Sequence, residues 1–260
     1  ILVNEAGGSA ALGGVYLRVV PTQPYGTLDP ALIEKAIPSE DIHHPRIKLV
    51  CLENTHNYCG GTALDAEYTA VVADLARRHG LALHLDGARI FNAALALGVP
   101  ASDLAAPADS VMFCLSKGLS APVGSLLCGR AEFIARARRA RKMVGGGMRQ
   151  AGVLAAAGVV ALEQMVDRLQ EDHDNARLLA EGIAEIPGLG LDLLTVQTNI
   201  VFFDLLDHRM TAGEFEAKLK EQGVWILALG PGRLRAVTHY GIERADIEQS
   251  LQVMRQVMAK

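Results

Sequence analysis

Residues 48–86 read KLVCLENTHNYCGGTALDAEYTAVVADLARRHGLALHLD. The two ends of this stretch, Lys48–Glu53 and Leu81–Asp86, are short apolar runs of the kind that form buried strands. Between them, Asp65–His79 carries apolar residues at helical spacing and is followed by Gly80, a residue that commonly ends a helix. A strand, a helix and a second strand in this order predict an α/β fold with a mostly parallel sheet.

The rest of the chain continues this alternation and then changes character. Further buried strands are predicted at Val111–Leu115 and Val123–Cys128, a basic amphipathic helix at Ala131–Met143, and one long helix or two within Arg149–Ile186. After Pro187 the pattern indicates a small α+β domain, with strands at Ile200–Leu205, near Trp225–Ala228 and at Leu234–Thr238, and helices at Ala212–Gln222 and from Arg244. We therefore predict a large domain over residues 1–170 and a small C-terminal domain over residues 171–260.

Composition excludes several classes of partner. The net charge is −4, whereas nucleic acids and anionic membranes call for a basic patch. No apolar run approaches the roughly 20 residues of a membrane helix. The histidines, His43 and His44 included, show no metal-ligand spacing, and the four cysteines form no CxxC pair. Cys51, Cys114 and Cys128 lie in apolar runs, which predicts reduced thiols packed as small hydrophobic groups in a cytoplasmic protein.

The segment HLDGAR, residues 84–89, carries the first candidate site residue. Side chains alternate along a strand, so His84 and Asp86 are expected on the same face. Asp86 ends its strand, and open α/β sheets place ligand-binding groups at this end. A carboxylate here can also cap the following helix, and the segment alone leaves both interpretations open.

The second segment is CLSKGL, residues 114–119, in which Lys117 follows an apolar strand and precedes a glycine. Partial desolvation of its amine would favour Schiff-base formation, and the alternative is an exposed lysine on a loop. A Schiff-base lysine and a strand-end aspartate are together what pyridoxal 5'-phosphate (PLP) requires. The lysine holds the aldehyde, and the carboxylate keeps the ring nitrogen protonated.

In these segments and in several others, the chain resembles the L-threonine aldolases of the low-specificity type. These enzymes have the aspartate-aminotransferase fold, which is fold type I of PLP enzymes. The resemblance runs across essentially the whole chain and thins after residue 190. It implies an aldehyde-lyase that uses PLP to cleave L-threonine, L-allo-threonine and related β-hydroxy-α-amino acids to glycine and an aldehyde. The matching stretches are Asn4–Gly8, Leu52–Asn57, Leu83–Asn92, Cys114–Ser125 and Arg141–Gly152.

The resemblance assigns the central residues of the site. It implies that Lys117 is the PLP lysine and that Asp86 faces the pyridinium nitrogen. Arg89 would lie near the cofactor's phenolic oxygen and the substrate carboxylate. Arg235 would grip that carboxylate, which suits the two-pronged guanidinium group. His56 would face the substrate's β-hydroxyl, where it or a water accepts the proton, unless it only orders its loop.

More distant residues complete the implied site. Glu5 would lie close to the cofactor. Lys142 and Arg149 flank a glycine run that lacks the GK[ST] ending of a nucleotide-binding loop, and the resemblance implies that they reach the PLP phosphate of a neighbouring subunit. The expected protein is therefore a homo-oligomer, a dimer of dimers with shared active sites, that acts on a small amino acid.

Two alternatives remain open from the sequence. Another fold type I enzyme, a β-eliminating lyase or an aminotransferase, would use the same lysine and aspartate. The resemblance also implies that an N-terminal segment of the family, with a phosphate-binding turn and a histidine that stacks on the cofactor, is absent ahead of Ile1. Either the chain is an incomplete view of a longer enzyme or it is a truncated, catalytically silent homologue.

Overall fold

The computed structural model describes residues 2–259, so Ile1 and Lys260, the outer ends of the two predicted domains, lie outside the described residues. Two four-stranded sheets organise the chain. The elements of the first part are α1 (Gly8–Gly13), α2 (Pro30–Ala36), β1 (Leu49–Glu53), α3 (Ala66–Arg78), β2 (Ala82–Asp86), α4 (Ile90–Leu97), α5 (Ala101–Ala105), β3 (Ser110–Cys114), β4 (Ser125–Gly129), α6 (Ala131–Met143) and α7 (Gly152–Gln164).

The first sheet has the order β1-β2-β3-β4. Strands β1, β2 and β3 run parallel, and β4 pairs with β3 in the antiparallel direction. The predicted α/β fold with a mostly parallel sheet is therefore confirmed. Parallel neighbours need a crossover connection, and α3 supplies the one between β1 and β2.

Helix α3 shows how local sequence fixes this part of the fold. The Asp65 side chain accepts a hydrogen bond from the backbone N–H of Tyr68 at 2.7 Å and so caps the helix start. Gly80 takes a left-handed conformation with φ of 66° immediately after the helix, as its place in the sequence predicts. The apolar face of the helix, with Val72 and Leu75 buried, packs with Leu83 and Leu85 of β2 in one hydrophobic core.

The second sheet belongs to the C-terminal part and has the order β5-β6-β8-β7, antiparallel throughout. Its core contains the buried side chains of Phe203, Phe215 and Met254. This arrangement matches the predicted small α+β unit. Its elements are α8 (Leu169–Ala184), β5 (Leu189–Gly190), β6 (Ile200–Leu205), α9 (Ala212–Glu221), β7 (Leu227–Ala228), β8 (Arg233–Val237) and α10 (Arg244–Met258).

The region Arg149–Ile186, predicted to hold one long helix or two, forms two, since α7 ends at Gln164 and α8 begins at Leu169. Two local expectations need correction. Strand β4 was expected to be buried, but all five of its residues are exposed because it forms one edge of the sheet. Cys51 and Cys128, expected to be packed in the core, are exposed residues on β1 and β4, the two edge strands. Within residues 2–259, no helix combines the length and apolarity that crossing a membrane requires.

Candidate active site

The candidate site lies at the carboxyl edge of the first sheet. Glu53, Asp86 and Met112 are register partners on the three parallel strands, so β1 and β2 end side by side. The segments that follow these strands carry His56, Arg89 and Lys117. The parallel topology therefore brings the residues predicted from separate segments to one edge of the sheet.

Asp86 is half-buried on the same side of β2 as His84, while Leu83, Leu85 and the following Gly87 are buried. Its Oδ1 accepts a hydrogen bond from the backbone N–H of Ala88 at 3.0 Å. Helix α4 has Arg89 at its N-cap position and no side-chain cap, so Asp86 does not cap the following helix. The carboxylate instead remains at the sheet edge beside the loop.

Gly87 fixes the position of Asp86 through backbone contact with the next strand. Its N–H donates to the carbonyl of Met112 at 2.8 Å. A Cβ at this position would lie 2.8 Å from that same carbonyl oxygen, closer than real Cβ contacts allow. Glycine is therefore required here by the approach of β3, and the approach holds the end of β2 in place.

Lys117 lies in a turn that follows β3, and its side chain is exposed. The turn is closed by the backbone N–H of Ser120, which donates to the carbonyl of Lys117 at 2.9 Å, and by that of Ala121, which donates to Leu115 at 3.0 Å. Among the described residues, no carboxylate forms an ion pair with the Lys117 amine. The amine is thus held near the sheet edge by a fixed backbone and is accessible to a ligand.

Arg89 and Arg235 form the most strongly charged part of the site. Each is half-buried, and the Nε of each is a buried donor without a hydrogen-bond partner in the described structure. Burial lowers the pKa of Arg89, and the nearby positive charge of Arg235 lowers it further, while Glu53 and Asp86 raise it. Burial also lowers the pKa of Arg235, which the neighbouring Tyr58 phenol raises. Two close guanidinium groups with unsatisfied donors make a site for an anion.

His56 lies in the loop after β1, beside the side chain of Glu53. Its Nε2 lies 3.9 Å from Oε2 of Glu53, and its backbone N–H donates to Thr62 at 2.9 Å. Its Nδ1 is buried and has no hydrogen-bond partner among the described residues. Burial lowers the pKa of His56, although the Glu53 carboxylate raises it in part. The imidazole is therefore neutral near pH 7 and able to accept a proton.

The remaining predicted residues are exposed and lie in other segments. Glu5 accepts a hydrogen bond from the N–H of Gly8 through its backbone carbonyl at 2.8 Å. Lys142 lies in the last turn of α6, and its side chain covers Gly147. Arg149 precedes α7. No hydrogen bond or ion pair among residues 2–259 joins Lys142 or Arg149 to the sheet edge, so their reach toward another subunit stays a prediction.

Two residues of the site were missed in the sequence analysis. Glu53 lies beside His56 and influences the pKa of both His56 and Arg89. Glu53 could have been identified from the sequence, because it is the last residue of a predicted strand that lies next to the strand of Asp86. Tyr58 neighbours Arg235, and its Oη accepts a hydrogen bond from Asn4 Nδ2 at 3.1 Å, which brings the N-terminal segment to the site. No local pattern marks Tyr58, because its neighbours come from distant parts of the chain.

No group of three or more histidine, cysteine or acidic side chains that could hold a metal ion occurs within the described part of the chain. The ionisable groups at the sheet edge are instead two guanidinium groups, one amine, one imidazole and two carboxylates. Such a set can bind an amino acid through its carboxylate and can move a proton.

Sequence comparison places the chain among known proteins. The family model described as "Beta-eliminating lyase" matches residues 1–206. The chain is 45% identical over 261 residues to "Low-specificity L-threonine aldolase 1" of Arabidopsis thaliana, an alignment that covers 99% of this chain and 73% of that protein. It is 43% identical over 257 residues to "Low specificity L-threonine aldolase" of Escherichia coli K12, covering 98% of this chain and 74% of the relative.

Structural comparison agrees on the fold. A putative L-allo-threonine aldolase from Listeria monocytogenes superimposes with a TM-score of 0.79 at 18% sequence identity, covering 98% of this chain and 71% of the other. A threonine aldolase from Leishmania major gives a TM-score of 0.79 at 21% identity, covering 98% of this chain and 74% of the other. The fold expected from the resemblance is thereby confirmed.

Proposed function

Since the chain belongs to the beta-eliminating lyase family and, within it, to the group of low-specificity L-threonine aldolases, we propose that it cleaves L-threonine and L-allo-threonine to glycine and acetaldehyde with PLP as cofactor. Related β-hydroxy-α-amino acids with other side chains would yield glycine and the corresponding aldehyde. The two substrates differ only in the configuration at Cβ, and an apolar pocket distinguishes small groups by only about 1–3 kcal/mol.

The observation that carries this proposal is the pair Arg89 and Arg235. Two half-buried guanidinium groups with unpartnered Nε donors are costly to keep together unless an anion joins them. The α-carboxylate of an amino acid fits such a site, because a carboxylate accepts two parallel hydrogen bonds from a guanidinium group. The arginines would hold the carboxylate and thereby orient the Cα–Cβ bond toward His56 and Lys117.

The residues at the sheet edge also fit PLP. The Lys117 amine is exposed and unpaired at this edge, and the Asp86 carboxylate lies at the end of the neighbouring strand. Lys117 would bind the cofactor's aldehyde, and Asp86 would hold a proton on the ring nitrogen. When bound, PLP supplies an electron sink for the pair of electrons left on Cα when the bond to Cβ breaks.

His56 would perform the proton transfer that begins bond cleavage. Its neutral imidazole accepts the β-hydroxyl proton, either directly or through a water that it orients, and the Cβ–O bond becomes the carbonyl of the aldehyde. Glu53 stabilises the imidazolium that results, since its carboxylate lies 3.9 Å away. Protonation of Cα then completes glycine.

The proposal extends to residues outside the sheet edge. Glu5 would tune the cofactor's hydrogen bonds, and Lys142 and Arg149 would contact the PLP phosphate of a neighbouring subunit in a homotetramer, a dimer of dimers.

The division of the chain into a large domain, residues 1–170, and a small domain, residues 171–260, is supported by the separate sheets. A cytoplasmic location is supported by four cysteines that are free thiols.

The test measures acetaldehyde and glycine released from L-threonine and L-allo-threonine by the holoenzyme, Lys117→Ala and Lys218→Ala. Lys218 is an exposed lysine on α9 and serves as the matched control. We expect release by the wild type and Lys218→Ala and its loss in Lys117→Ala. A keto acid with ammonia would identify β-elimination instead, and a PLP-free protein that releases neither product would be a silent homologue.

A further inference from the structure

A buried polar cluster connects the two halves of the chain behind the candidate site. It consists of Asn92 on α4, His173 on α8 and Asn199 immediately before β6, all three buried. The side-chain Nδ2 of Asn92 lies 3.0 Å from Nε2 of His173 and 3.5 Å from Oδ1 of Asn199. Neither the fold nor the proposed reaction chemistry accounts for three polar side chains at this depth.

The chemistry of the cluster fixes which atoms donate. An amide nitrogen only donates, so Nε2 of His173 must accept and must be unprotonated. Burial lowers the pKa of His173 to about 4, and Asp174 raises it in part. The imidazole is therefore neutral across the physiological range, and the hydrogen bond to Asn92 is maintained there.

One side of the cluster supports the turn that carries Lys117. Gly118, the next residue, is buried, and a Cβ there would lie 3.1 Å from Oδ1 of Asn92. The same Cβ would lie 2.8 Å from a terminal methyl of Leu169, the first residue of α8. The backbone next to Lys117 therefore rests directly on Asn92 and on the helix that carries His173.

The other side of the cluster supports the strand that carries Arg235. The side-chain Nδ2 of Asn199 donates to the carbonyl of Thr238 at 2.8 Å, and the backbone carbonyl of Asn199 accepts from the N–H of Thr238 at 3.0 Å. The hydroxyl of Thr238 donates to the carbonyl of Asp172 at 2.6 Å. Thr238 directly follows β8, so Asn199 and helix α8 together hold the end of the strand of Arg235.

We propose that Asn92, His173 and Asn199 are positioning residues that set the Lys117 turn against the Arg235 strand, so that one substrate contacts both. This inference rests on the proposed function, because it assigns the two supported residues to one substrate. Hydrogen bonds among buried side chains are strong in the low-dielectric interior, so they favour one geometry of the cluster, and both elements that pack on the cluster follow that geometry. The three residues contact no substrate themselves.

The test compares three variants of the holoenzyme in steady-state cleavage of L-threonine. His173→Leu removes the acceptor, and His173→Gln keeps an acceptor oxygen near the position of Nε2. Asn175→Leu is the matched control, because Asn175 lies on the same helix and its Nδ2 donates to Ile242 at 2.9 Å within the C-terminal part. We expect His173→Leu to raise KM about tenfold, since misplaced contacts weaken substrate binding. His173→Gln should restore KM to near the wild-type value, and Asn175→Leu should leave it unchanged.

A second measurement does not depend on activity. Hydrogen exchange should accelerate in His173→Leu at both Ser120 and Thr238, whose amides close the two supported elements, and should stay near wild type in His173→Gln. A variant that loses kcat through reduced folding, with KM unchanged and exchange altered only within α8, would overturn the proposal. If the wild type releases no glycine, the proposed function fails, and the exchange data alone still decide whether the cluster couples the two elements.

Discussion

Arg89 and Arg235 bring two guanidinium groups from different sheets into one half-buried site, each with a buried Nε that lacks a partner in the described structure. Arg89 follows β2 of the first sheet, and Arg235 lies on β8 of the second. Their mutual repulsion lowers the pKa of Arg89 beyond the effect of burial. The site is therefore prepared for a negative charge that joins the two parts of the chain.

The first prediction concerns substrate binding by Arg235. In Arg235→Lys we expect KM for L-threonine to rise about 10- to 100-fold, because an ammonium group replaces a two-pronged contact with a single point charge. The measurement is steady-state release of glycine over a range of threonine concentrations. Arg233→Lys, on the same strand but stacked on the ring of Phe202, is the control and should change KM little. An unchanged KM in Arg235→Lys would place the carboxylate elsewhere.

The second prediction is that the Arg89–Arg235 pair lowers the free energy of unfolding of the ligand-free protein. Arg235→Met should raise the free energy of unfolding in the absence of ligands by about 1 kcal/mol, because it removes one member of a half-buried like-charge pair and keeps a side chain of similar volume. Urea denaturation followed by circular dichroism measures the change. Arg233→Met should instead lose about 0.5 kcal/mol with its stacking contact. A loss of stability in Arg235→Met would mean that the charges are already compensated.

Elements with clear periodicity were predicted from the sequence. The helix at Ala131–Met143 and the strand at Ile200–Leu205 have the predicted bounds, and Asp65 caps its helix as its position suggests. The bounds of helix α4 were not predicted, because its sequence IFNAALAL is apolar except for Asn92 and its polar face is therefore not marked by charged residues. Strand β5 has only two residues and forms through pairing with β6, which the local sequence does not encode.

The same distinction holds for the site. Asp86 and Lys117 were identifiable because each follows an apolar strand, and the parallel topology then brings their segments to one edge. The proximity of Arg89 to Arg235, and of Asn92 to His173, depends on how the two sheets pack. Such contacts join segments that are far apart in the chain, so no local spacing reveals them.

A third prediction follows from His56. Burial lowers its pKa below the ordinary 6.5, so the neutral, proton-accepting form persists below pH 6.5 and kcat/KM should fall only at still lower pH. Glu53 raises this pKa, so Glu53→Gln should move the acid limb of the profile to lower pH. Glu67→Gln, an exposed residue on α3, is the control and should leave the limb in place. A shift to higher pH in Glu53→Gln would contradict the assignment of His56 as the titrating group.

A fourth prediction concerns stability in acid. The pKa of His173 is lowered from 6.5 to about 4 in the folded protein, so above pH 6.5 both states are neutral and the histidine has no effect. As pH falls from 6.5 to 4, His173 binds a proton in the unfolded chain but not in the folded chain. The free energy of unfolding therefore decreases by on the order of 3 kcal/mol. Below pH 4 the folded protein is protonated too, and the loss stops.

The difference between wild type and His173→Gln isolates this effect, because glutamine does not titrate. The unfolding free energies of the two proteins, measured from pH 7 to pH 4, should converge as pH falls, or cross. The exposed His208→Gln serves as the control and should follow the wild type throughout. Parallel curves for wild type and His173→Gln would show that His173 keeps an ordinary pKa in the folded state.

The fifth prediction concerns Gly87, which follows Asp86 in the chain and packs against the backbone of β3. In Gly87→Ala the new Cβ would lie 2.8 Å from the carbonyl oxygen of Met112, so β2 and β3 must separate at the site edge. We expect the free energy of unfolding to fall by about 1–3 kcal/mol and the affinity for PLP to fall with it, because Asp86 moves. Gly213→Ala in α9 is the matched control, since a Cβ there meets nothing within 4 Å and alanine favours the helix. Denaturation and PLP titration measure the two effects, and reduced stability with unchanged PLP affinity would show that Asp86 does not hold the cofactor.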